Sequence, residues 1–247
     1  MTIHSPKNLD GPNAPSVPGA PRPRLLITAG PTREPIDAVR YLGNRSSGRL
    51  GVGLADAAAA RGWDVLLLLG PTRVSPTDER VRVIRFETTA ELGAALAENQ
   101  AWCERLVMAA AVSDYRPVAD EIDTSAKRTR SGEGMKLRLE ATPDLLAGCA
   151  ARRTGGQTLV GFALEPAERL VDSATRKLER KGVDLIVANP LETMDSGEIE
   201  ATLIGWVDES PAVVDRTPGR IAKEAFADWL LDRISARRAG EVRHAQA

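Results

Sequence analysis

The chain has 247 residues, of which 43% are hydrophobic and 27% are charged, and its formal net charge is −1. This length and composition are typical of one soluble globular domain, and the even mixture of acids and bases argues against a nucleic-acid partner. No apolar run approaches the ~20 residues that span a membrane, and the N-terminus lacks the apolar core of a secretory signal. A cytoplasmic protein without a membrane partner is therefore expected.

The two ends of the chain are predicted to be flexible. Residues 1–23 contain six prolines and almost no large apolar residues, so this disordered, proline-rich tail cannot offset the entropy of ordering. Residues 237–247 are expected to form a second flexible tail. The folded domain is predicted to cover residues 24–236.

Histidine and cysteine are poor candidates for chemistry in this sequence. His4 and His244 both lie in the predicted tails, which argues against histidine as a base, nucleophile or metal ligand. Cys103 and Cys149 lack metal-ligand spacing and are interpreted as buried thiols. Lysine, carboxylate and amide groups must therefore carry any reaction.

Apolar runs of strand length alternate with helical patterns from Arg24 onward. The predicted strands are residues 25–30, 64–70, 81–86, 105–112, 158–164 and 184–189, and the predicted helices are residues 47–62, 89–102, one from Thr142, 167–181 and one from about Ile221. This order predicts an α/β fold, a three-layer, doubly wound, mostly parallel sheet of Rossmann-like type. Residues 199–207 are interpreted as a small antiparallel extension at the sheet edge, where an apolar edge favours pairing with a second subunit.

The segment after the first strand predicts an anion site. Ligands of open parallel sheets bind beyond the carboxyl ends of the strands. A long loop leads there into a glycine-rich helix start, where Ser46, Ser47 and Gly48 would leave free backbone N–H groups at the positive helix end.

The glycines of this helix do not match a dinucleotide site. They follow G-x-x-G-x-G at positions 48, 51 and 53, the reverse of the usual fingerprint, and Gly70 stands where a ribose-binding acid is expected. A nicotinamide enzyme is therefore disfavoured. For Gly51 and Gly53, close packing of the helix on the sheet is an equal alternative to a ligand role.

Asp114 is the candidate metal ligand. It follows the fourth strand and the three alanines 109–111, whose small side chains would let a ligand approach the backbone. A carboxylate at this place can hold Mg²⁺ between triphosphate oxygens, because that ion usually takes one or two protein carboxylates plus phosphate and water. The alternative is a loop cap or an ion pair with Arg116.

Basic residues in the second half suggest phosphate contacts. Residues 119–134 carry Lys127, Arg128 and Arg130 and resemble either a loop that closes on a ligand or a solvated charge run. Lys177 and Lys181 share one helix face, as expected around an anion or for solvated side chains.

Two further segments could serve either a ligand or the fold. Thr142-Pro143-Asp144 is interpreted as a helix start with Thr142 as the N-cap. The Phe162 ring would either stack on a base or fill the core.

Taken together, ITAGPTREPIDAVRYLGNRSSGRLG, AAAVSDYRP, TPDLL, VGFALE and KLERKGVDLIVAN resemble the phosphopantothenate–cysteine ligase family, specifically its bacterial synthetase domain. The resemblance runs from about Arg24 to the closing helix. It implies a ligase that condenses 4'-phosphopantothenate with L-cysteine in coenzyme A biosynthesis. The implied co-substrate is CTP, which with Mg²⁺ gives an acyl-cytidylate and pyrophosphate before cysteine displaces CMP.

The resemblance also implies roles for single residues. Asn44 would bind the acyl-cytidylate, Arg40 and Ala111 would hold the phosphopantothenate moiety, and Lys127 would cover the phosphates, so that Asn44, Lys127 and Arg40 are the catalytic candidates. Asp114 would bind the metal. With the anion site added, the nucleotide-binding candidates are Ser46, Ser47, Gly48, Met108, Ala109, Ala110, Asp114, Lys127, Pro143, Asp144, Leu145, Leu146, Phe162, Lys177 and Lys181.

The family also suggests partners. A homodimer is expected because the family's active sites form near a subunit interface. Bacterial members are commonly fused behind a flavin-dependent decarboxylase, whereas only a tail precedes Arg24 here, so a separate decarboxylase chain and no bound flavin are expected.

The family's Lys-x-Lys-Lys loop reads Lys127-Arg128-Thr129-Arg130 in this sequence, so the loop closure and the reaction rate are not fixed by the resemblance. If the protein contacts the base mainly through its backbone, ATP is an alternative to CTP as the nucleotide. A phosphotransferase with Asp114 as base and a non-catalytic nucleotide-binding module are the alternatives.

Overall fold

The structure, a computed structural model, describes residues 21–129, 132, 134–194 and 196–236. The predicted C-terminal tail, all but the last three residues of the predicted N-terminal tail, both histidines and Arg130 lie outside the described residues. Among the described residues, no helix is both long enough and apolar enough to cross a bilayer.

Helices and strands alternate over most of the described chain. The strands are β1 (Arg24–Ala29), β2 (Arg33–Pro35), β3 (Tyr41–Gly43), β4 (Asp64–Leu69), β5 (Arg82–Arg85), β6 (Arg105–Met108), β7 (Tyr115–Pro117), β8 (Leu139–Ala141), β9 (Thr158–Glu165), β10 (Leu185–Pro190), β11 (Glu198–Ile199), β12 (Thr202–Val207), β13 (Ser210–Arg216) and β14 (Ile221–Ala222). The α-helices are α1 (Arg49–Ala60), α2 (Thr89–Asn99), α3 (Leu145–Ala151), α4 (Leu170–Lys181) and α5 (Lys223–Ala236).

An eight-stranded sheet forms the middle layer, in the order β13, β12, β10, β9, β6, β1, β4, β5. The six strands from β10 to β5 are parallel, whereas β12 pairs antiparallel with β10 and β13 pairs antiparallel with β12. The predicted doubly wound, mostly parallel α/β fold with a small antiparallel extension is therefore confirmed.

Residues 199–207 contribute the predicted antiparallel extension through β12, but the outermost strand is β13, which was not predicted. β12 is the penultimate strand, because the chain turns at Asp208 and Glu209 and returns as β13. Both turn residues have positive φ angles, 47° and 66°, as a tight two-residue hairpin requires. The pair Asp-Glu gives no glycine or asparagine signal for such a turn, so the sequence did not reveal β13.

Helices cover both faces of the sheet. On one face, α1 and α5 bury side chains such as Leu54 and Phe226 against the sheet. On the other face, α2, α3 and α4 contribute residues such as Leu92 and Leu178 to a second core. Each helix has an apolar face that must be buried against the sheet, and helices on both sides of the sheet give the three-layer arrangement.

Both cysteines are buried thiols, as predicted. Burial raises the pKa of Cys103 to about 12 and the pKa of Cys149 to about 11. Both groups therefore stay protonated at neutral pH and act as packing residues.

The predicted start of α3 at Thr142 is wrong. The helix begins at Leu145, and Asp144 is its N-cap, with a carboxylate that accepts from the Ala147 amide at 3.1 Å. Thr142 is occupied elsewhere, because its amide donates to Asp114 O at 3.0 Å. Aspartate caps helices at least as well as threonine, but Pro143 suits the first helical position and so favoured Thr142 in the sequence.

Two glycines of α1 offer a matched test of close packing. A Cβ atom on Gly51 would lie 2.5 Å from the Ala29 Cβ of β1, whereas a Cβ on Gly53 would meet nothing within 4 Å. Gly51→Ala should therefore destabilise the protein by about 1–3 kcal/mol, and Gly53→Ala should stabilise it by about 0.5–1 kcal/mol, since alanine favours a helix interior. Denaturant unfolding measures both, and equal effects would contradict the packing role of Gly51.

Candidate functional site

The site lies at the switch point of the sheet. β1 and β6 are neighbours, and the chain continues from β1 towards β4 and β5 on one side and from β6 towards β9 and β10 on the other. Their carboxyl ends therefore open a crevice, the place where open α/β sheets bind ligands.

Two cavities fill this crevice. The larger cavity has a volume of about 650 Å³ and the smaller cavity about 450 Å³. They share Ala110, Val112, Asp114, Phe162 and Lys177 as lining residues, so they form one continuous cleft.

Most of the predicted site residues line the cleft. Those on the larger cavity are Asn44, Ser46, Ser47, Gly48, Ala109, Ala110, Ala111, Asp114, Phe162 and Lys177. Those on the smaller cavity are Met108, Ala110, Asp114, Pro143, Asp144, Leu145, Leu146, Phe162, Lys177 and Lys181.

The larger cavity is cationic. Its described lining includes Arg45, Arg49, Lys177 and Lys223, against the single carboxylate of Asp114. The first turn of α1, which opens on this cavity, contains no acidic residue. This charge distribution suits an anionic ligand.

Gly48 and the two serines before it form the start of α1, where an anion site is predicted. Gly48 caps the helix with a left-handed φ of 72°, and a Cβ atom there would lie 2.7 Å from the Thr72 Cγ2. The Gly48 amide donates to Ser46 Oγ over a long 3.3 Å contact. Because this contact is long, the Gly48 amide could still donate to a stronger acceptor such as a phosphate oxygen.

Asn44 is held at the rim of the larger cavity. Its side-chain amide nitrogen donates to the Val112 carbonyl at 2.9 Å, which ties the loop after β3 to the loop after β6. Among the described residues, nothing donates to the Asn44 side-chain oxygen. The amide group is therefore oriented by the protein while part of it remains available to a ligand.

The small residues after β6 form the floor of the cleft. The amides of Ala109 and Ala111 donate to carbonyls of the β1 segment at 3.1 and 2.9 Å, and the Ala110 amide donates to Thr28 Oγ1 at 3.1 Å. These three amides are therefore occupied within the protein.

Asp114 lies at the junction of the two cavities and is exposed. Its carboxylate makes no hydrogen bond or ion pair with the described residues, and Arg116 pairs instead with Glu140 at 2.8 Å. The alternative interpretation, a partner for Arg116, is therefore wrong. Among the described residues, no cluster of three or more His, Cys, Asp or Glu side chains is found.

Buried hydroxyl groups hold the backbone of Ser113, the residue before Asp114. The Ser113 amide donates to Thr32 Oγ1 at 2.9 Å, and Thr142 Oγ1 donates to the Ser113 carbonyl at 2.5 Å. These bonds join three loops at the carboxyl end of the sheet. Sequence reasoning missed Thr32 and Ser113, because a buried hydroxyl in a loop leaves no pattern.

Each of the two predicted lysines on α4 has an acceptor within the protein. Lys181 pairs with the Asp144 carboxylate, and Lys177 Nζ donates to the Phe162 carbonyl at 2.6 Å. Burial, together with the charges of Lys181 and Arg180, lowers the pKa of Lys177. Burial acts to raise the pKa of Asp144, but the hydrogen bonds from Lys181 and from the Ala147 amide hold it below its usual value.

Phe162 lies between the core and the cleft. Its ring packs edge-on against Phe226, with centroids 6.4 Å apart, and it borders the core between α5 and the sheet. It also lines both cavities. One face of the side chain is therefore available to a ligand.

Two predicted catalytic residues lie away from the cleft of their own chain. Arg40 and Lys127 line neither cavity. Arg40 pairs with Asp37 at 3.4 Å, and the Lys127 side chain is exposed. The structure of one chain therefore does not bring them together with Asn44 and Asp114.

Comparison with known proteins identifies the family of this chain. Residues 22–237 match the family model described as the DNA/pantothenate metabolism flavoprotein C-terminal domain. A curated cysteine/cysteine sulfinic acid decarboxylase from an unidentified prokaryote is 42% identical over 212 residues, which are 84% of this chain and 58% of that protein. The coenzyme A biosynthesis bifunctional protein CoaBC of Escherichia coli K12 is 35% identical over 216 residues, which are 86% of this chain and 52% of that protein. The chain thus spans about half the length of the curated relatives it matches.

Among solved structures, the crystal structure of the C-terminal domain of the coenzyme A biosynthesis bifunctional protein CoaBC superposes with a TM-score of 0.70. It is 31% identical, and the match covers 86% of this chain and 93% of that one. The predicted fold class is confirmed by this likeness as well.

Proposed function

We propose, since the chain belongs to the family of the DNA/pantothenate metabolism flavoprotein C-terminal domain, that it is a phosphopantothenate–cysteine ligase of coenzyme A biosynthesis. The cleft supports this proposal, because a cationic cavity that begins at a helix N-terminus meets a second cavity at one carboxylate, Asp114. Two anionic substrates, an acid with a phosphate group and a nucleoside triphosphate, fit such a pair of joined sites.

The reaction has two steps. In the first, the carboxylate of 4'-phosphopantothenate attacks the α-phosphorus of CTP, and pyrophosphate leaves. In the second, the amine of L-cysteine attacks the acyl carbon of the acyl-cytidylate, and CMP leaves. No oxidation state changes, so the ligation requires no flavin.

We assign the smaller cavity and the adjoining part of the larger one, with Ser46, Ser47, Gly48 and Ala109, to CTP, and the region around Asn44 to phosphopantothenate. The α1 N-terminus would hold an anionic group, and Asn44 would donate to the acyl group as charge develops on it. Lys177 and Lys181 would neutralise phosphate charge. Mg²⁺, when bound at Asp114, would offset the charge of the triphosphate oxygens.

A homodimer would complete the site. Because Arg40 and Lys127 line neither cavity of their own chain, we propose that they reach the cleft of a second copy. Mixing inactive Arg40→Ala and Asn44→Asp chains should then restore about a quarter of the wild-type turnover, since half of the dimers would contain one intact site of two. Activity that stays absent after subunit exchange would show instead that Arg40 acts within its own chain.

Pyrophosphate release tests the proposed function against its alternatives. Release that depends on both phosphopantothenate and CTP, with Mg²⁺ present, is the expected result. A phosphorylated acceptor without pyrophosphate would indicate a phosphotransferase, and no turnover with any nucleoside triphosphate would indicate a binding module. ATP in place of CTP would revise only the nucleotide. The cytoplasmic location and the separate decarboxylase stay predictions.

A further inference from the structure

Residues 36–40 form a turn, here called the Asp37 turn, that binds residues 123–128, here called the Lys127 segment. The Ala38 amide donates to the Ala126 carbonyl at 3.2 Å. The acceptor directly precedes the lysine that gives the segment its name. The backbone around Lys127 is therefore held against the turn although the Lys127 side chain is exposed.

The Asp37 carboxylate makes the central contact between the two. One oxygen, Oδ1, accepts from the amides of Val39 and Arg40 at 2.9 and 2.8 Å. The other, Oδ2, accepts from the Arg128 amide at 3.2 Å and lies 3.4 Å from the Arg40 guanidinium. That guanidinium also donates to the Arg128 carbonyl at 3.1 Å.

These contacts assign different tasks to the two oxygens. An aspartate that only closes its own turn needs one oxygen for the following amides, and Oδ1 of Asp37 does this. Oδ2 instead reaches across to Arg128, directly after Lys127. The side chain of Asp37 is fully buried, and the hydrogen bonds from Val39, and then those from Arg40 and Arg128, hold its pKa below the usual value. The carboxylate therefore stays ionised as an acceptor throughout the neutral range.

Bonds on both sides of Lys127 also limit how it can move. The Ala126 carbonyl and the Arg128 amide and carbonyl all bond to the Asp37 turn. The same turn carries Arg40, so the backbones that carry the two cationic side chains are bonded to each other.

We infer that Asp37 is a positioning residue: it fixes the Lys127 segment to the turn that carries Arg40, so that both cations reach the substrate phosphates as one unit. This inference rests on the proposed function, in which Arg40 and Lys127 contact the substrates. Asp37 itself would touch neither substrate and would act only through the two cations.

The test is a double-mutant cycle on pyrophosphate release. In Asp37→Asn, the side-chain oxygen can still accept from the amides of the turn. The side-chain NH2 group then faces the Arg128 amide, and two donors oppose each other. The kcat of the first step should fall about tenfold or more, because small misplacements of a catalytic group are costly. In the Lys127→Gln background, Asp37→Asn should lower kcat by a clearly smaller factor than in the wild type, because the part of its effect that passes through Lys127 is already lost. The inference would be overturned if the double variant lost kcat by the product of the two single-variant factors. It would also be overturned if Asp37→Asn left kcat unchanged.

Hydrogen exchange separates this inference from the proposed function. Exchange in residues 123–128 should accelerate in Asp37→Asn whether or not the protein turns out to be a ligase, and unchanged exchange would refute the docking. A wild-type protein that releases no pyrophosphate would refute the proposed function instead.

Asp78→Asn is the matched control. Asp78 also accepts from an amide two residues ahead, that of Arg80 at 2.9 Å, but it lines neither cavity, so kcat and the exchange of residues 123–128 should stay at wild-type values. If Asp37→Asn unfolds at the assay temperature, Asp37→Ser gives the same test, because its shorter hydroxyl still serves the turn but does not reach Arg128. Wild-type kcat in a folded Asp37→Ser protein would also overturn the inference.

Discussion

Asn44→Asp should abolish most ligation while the fold remains intact. The Asn44 amide donates to the Val112 carbonyl at 2.9 Å, and a carboxylate in its place would repel that carbonyl and the anionic acyl-phosphate. Removal of one donor that stabilises developing charge typically lowers kcat by a factor of about 100 to 1,000. Steady-state turnover with all three substrates measures the loss, and thermal unfolding measures the fold.

Asn99→Asp is the matched control for this change. Asn99 donates its side-chain amide to the Ala95 carbonyl at 2.8 Å, the same kind of bond, at the end of α2 and outside both cavities. Wild-type turnover is expected there. Near-normal turnover in Asn44→Asp would remove this residue from the mechanism.

Asp114→Asn should have an effect of similar size, but through the metal. The carboxylate is exposed and bonds to no described residue, so its replacement should leave the melting temperature within a degree or two of the wild type, as is usual for surface changes. The first step should slow by about 100-fold or more, because Asn keeps the shape but loses the charge that binds Mg²⁺. The concentration of Mg²⁺ needed for half-maximal pyrophosphate release should rise as well.

Asp120→Asn provides the comparison for Asp114. Asp120 is an exposed acid that pairs with Arg138 at 3.2 Å, and its loss should alter neither rate nor Mg²⁺ dependence. If Asp114→Asn instead kept the wild-type Mg²⁺ dependence with a lower rate, Asp114 would act on the substrates without the ion.

Much of the fold was predictable because its signals are local and repeated. The apolar run that became β1 and the alanine-rich stretch that became α1 carry the periods of a buried strand and a helix, and both elements were confirmed close to their predicted bounds. The errors fall where several residues suit one role. Thr142 and Asp144 are both favourable caps, and the bonds of Thr142 to the Asp114 loop leave Asp144 in that role.

The site was predictable to the extent that it follows from the topology and from the family motifs. Asp114 and the start of α1 had to meet, because the carboxyl ends of neighbouring parallel strands share one edge of the sheet. The long-range contacts could not be read in the same way. Asp37 bonds to Arg128, 91 residues away, and a pair so distant leaves no periodic trace in a single sequence. The roles of Arg40 and Lys127 came from the resemblance alone and stay predictions.

The most direct test of the central claim is a two-stage incubation of the purified protein. It is first mixed with Mg²⁺, CTP and 4'-phosphopantothenate, and L-cysteine is added afterwards while mass spectrometry follows the products. The account requires pyrophosphate and an acyl-cytidylate in the first stage, and CMP with 4'-phosphopantothenoylcysteine in equal amounts in the second. A first stage without pyrophosphate, or an adduct that forms without nucleotide, would contradict the assignment of this cleft to a phosphopantothenate–cysteine ligase.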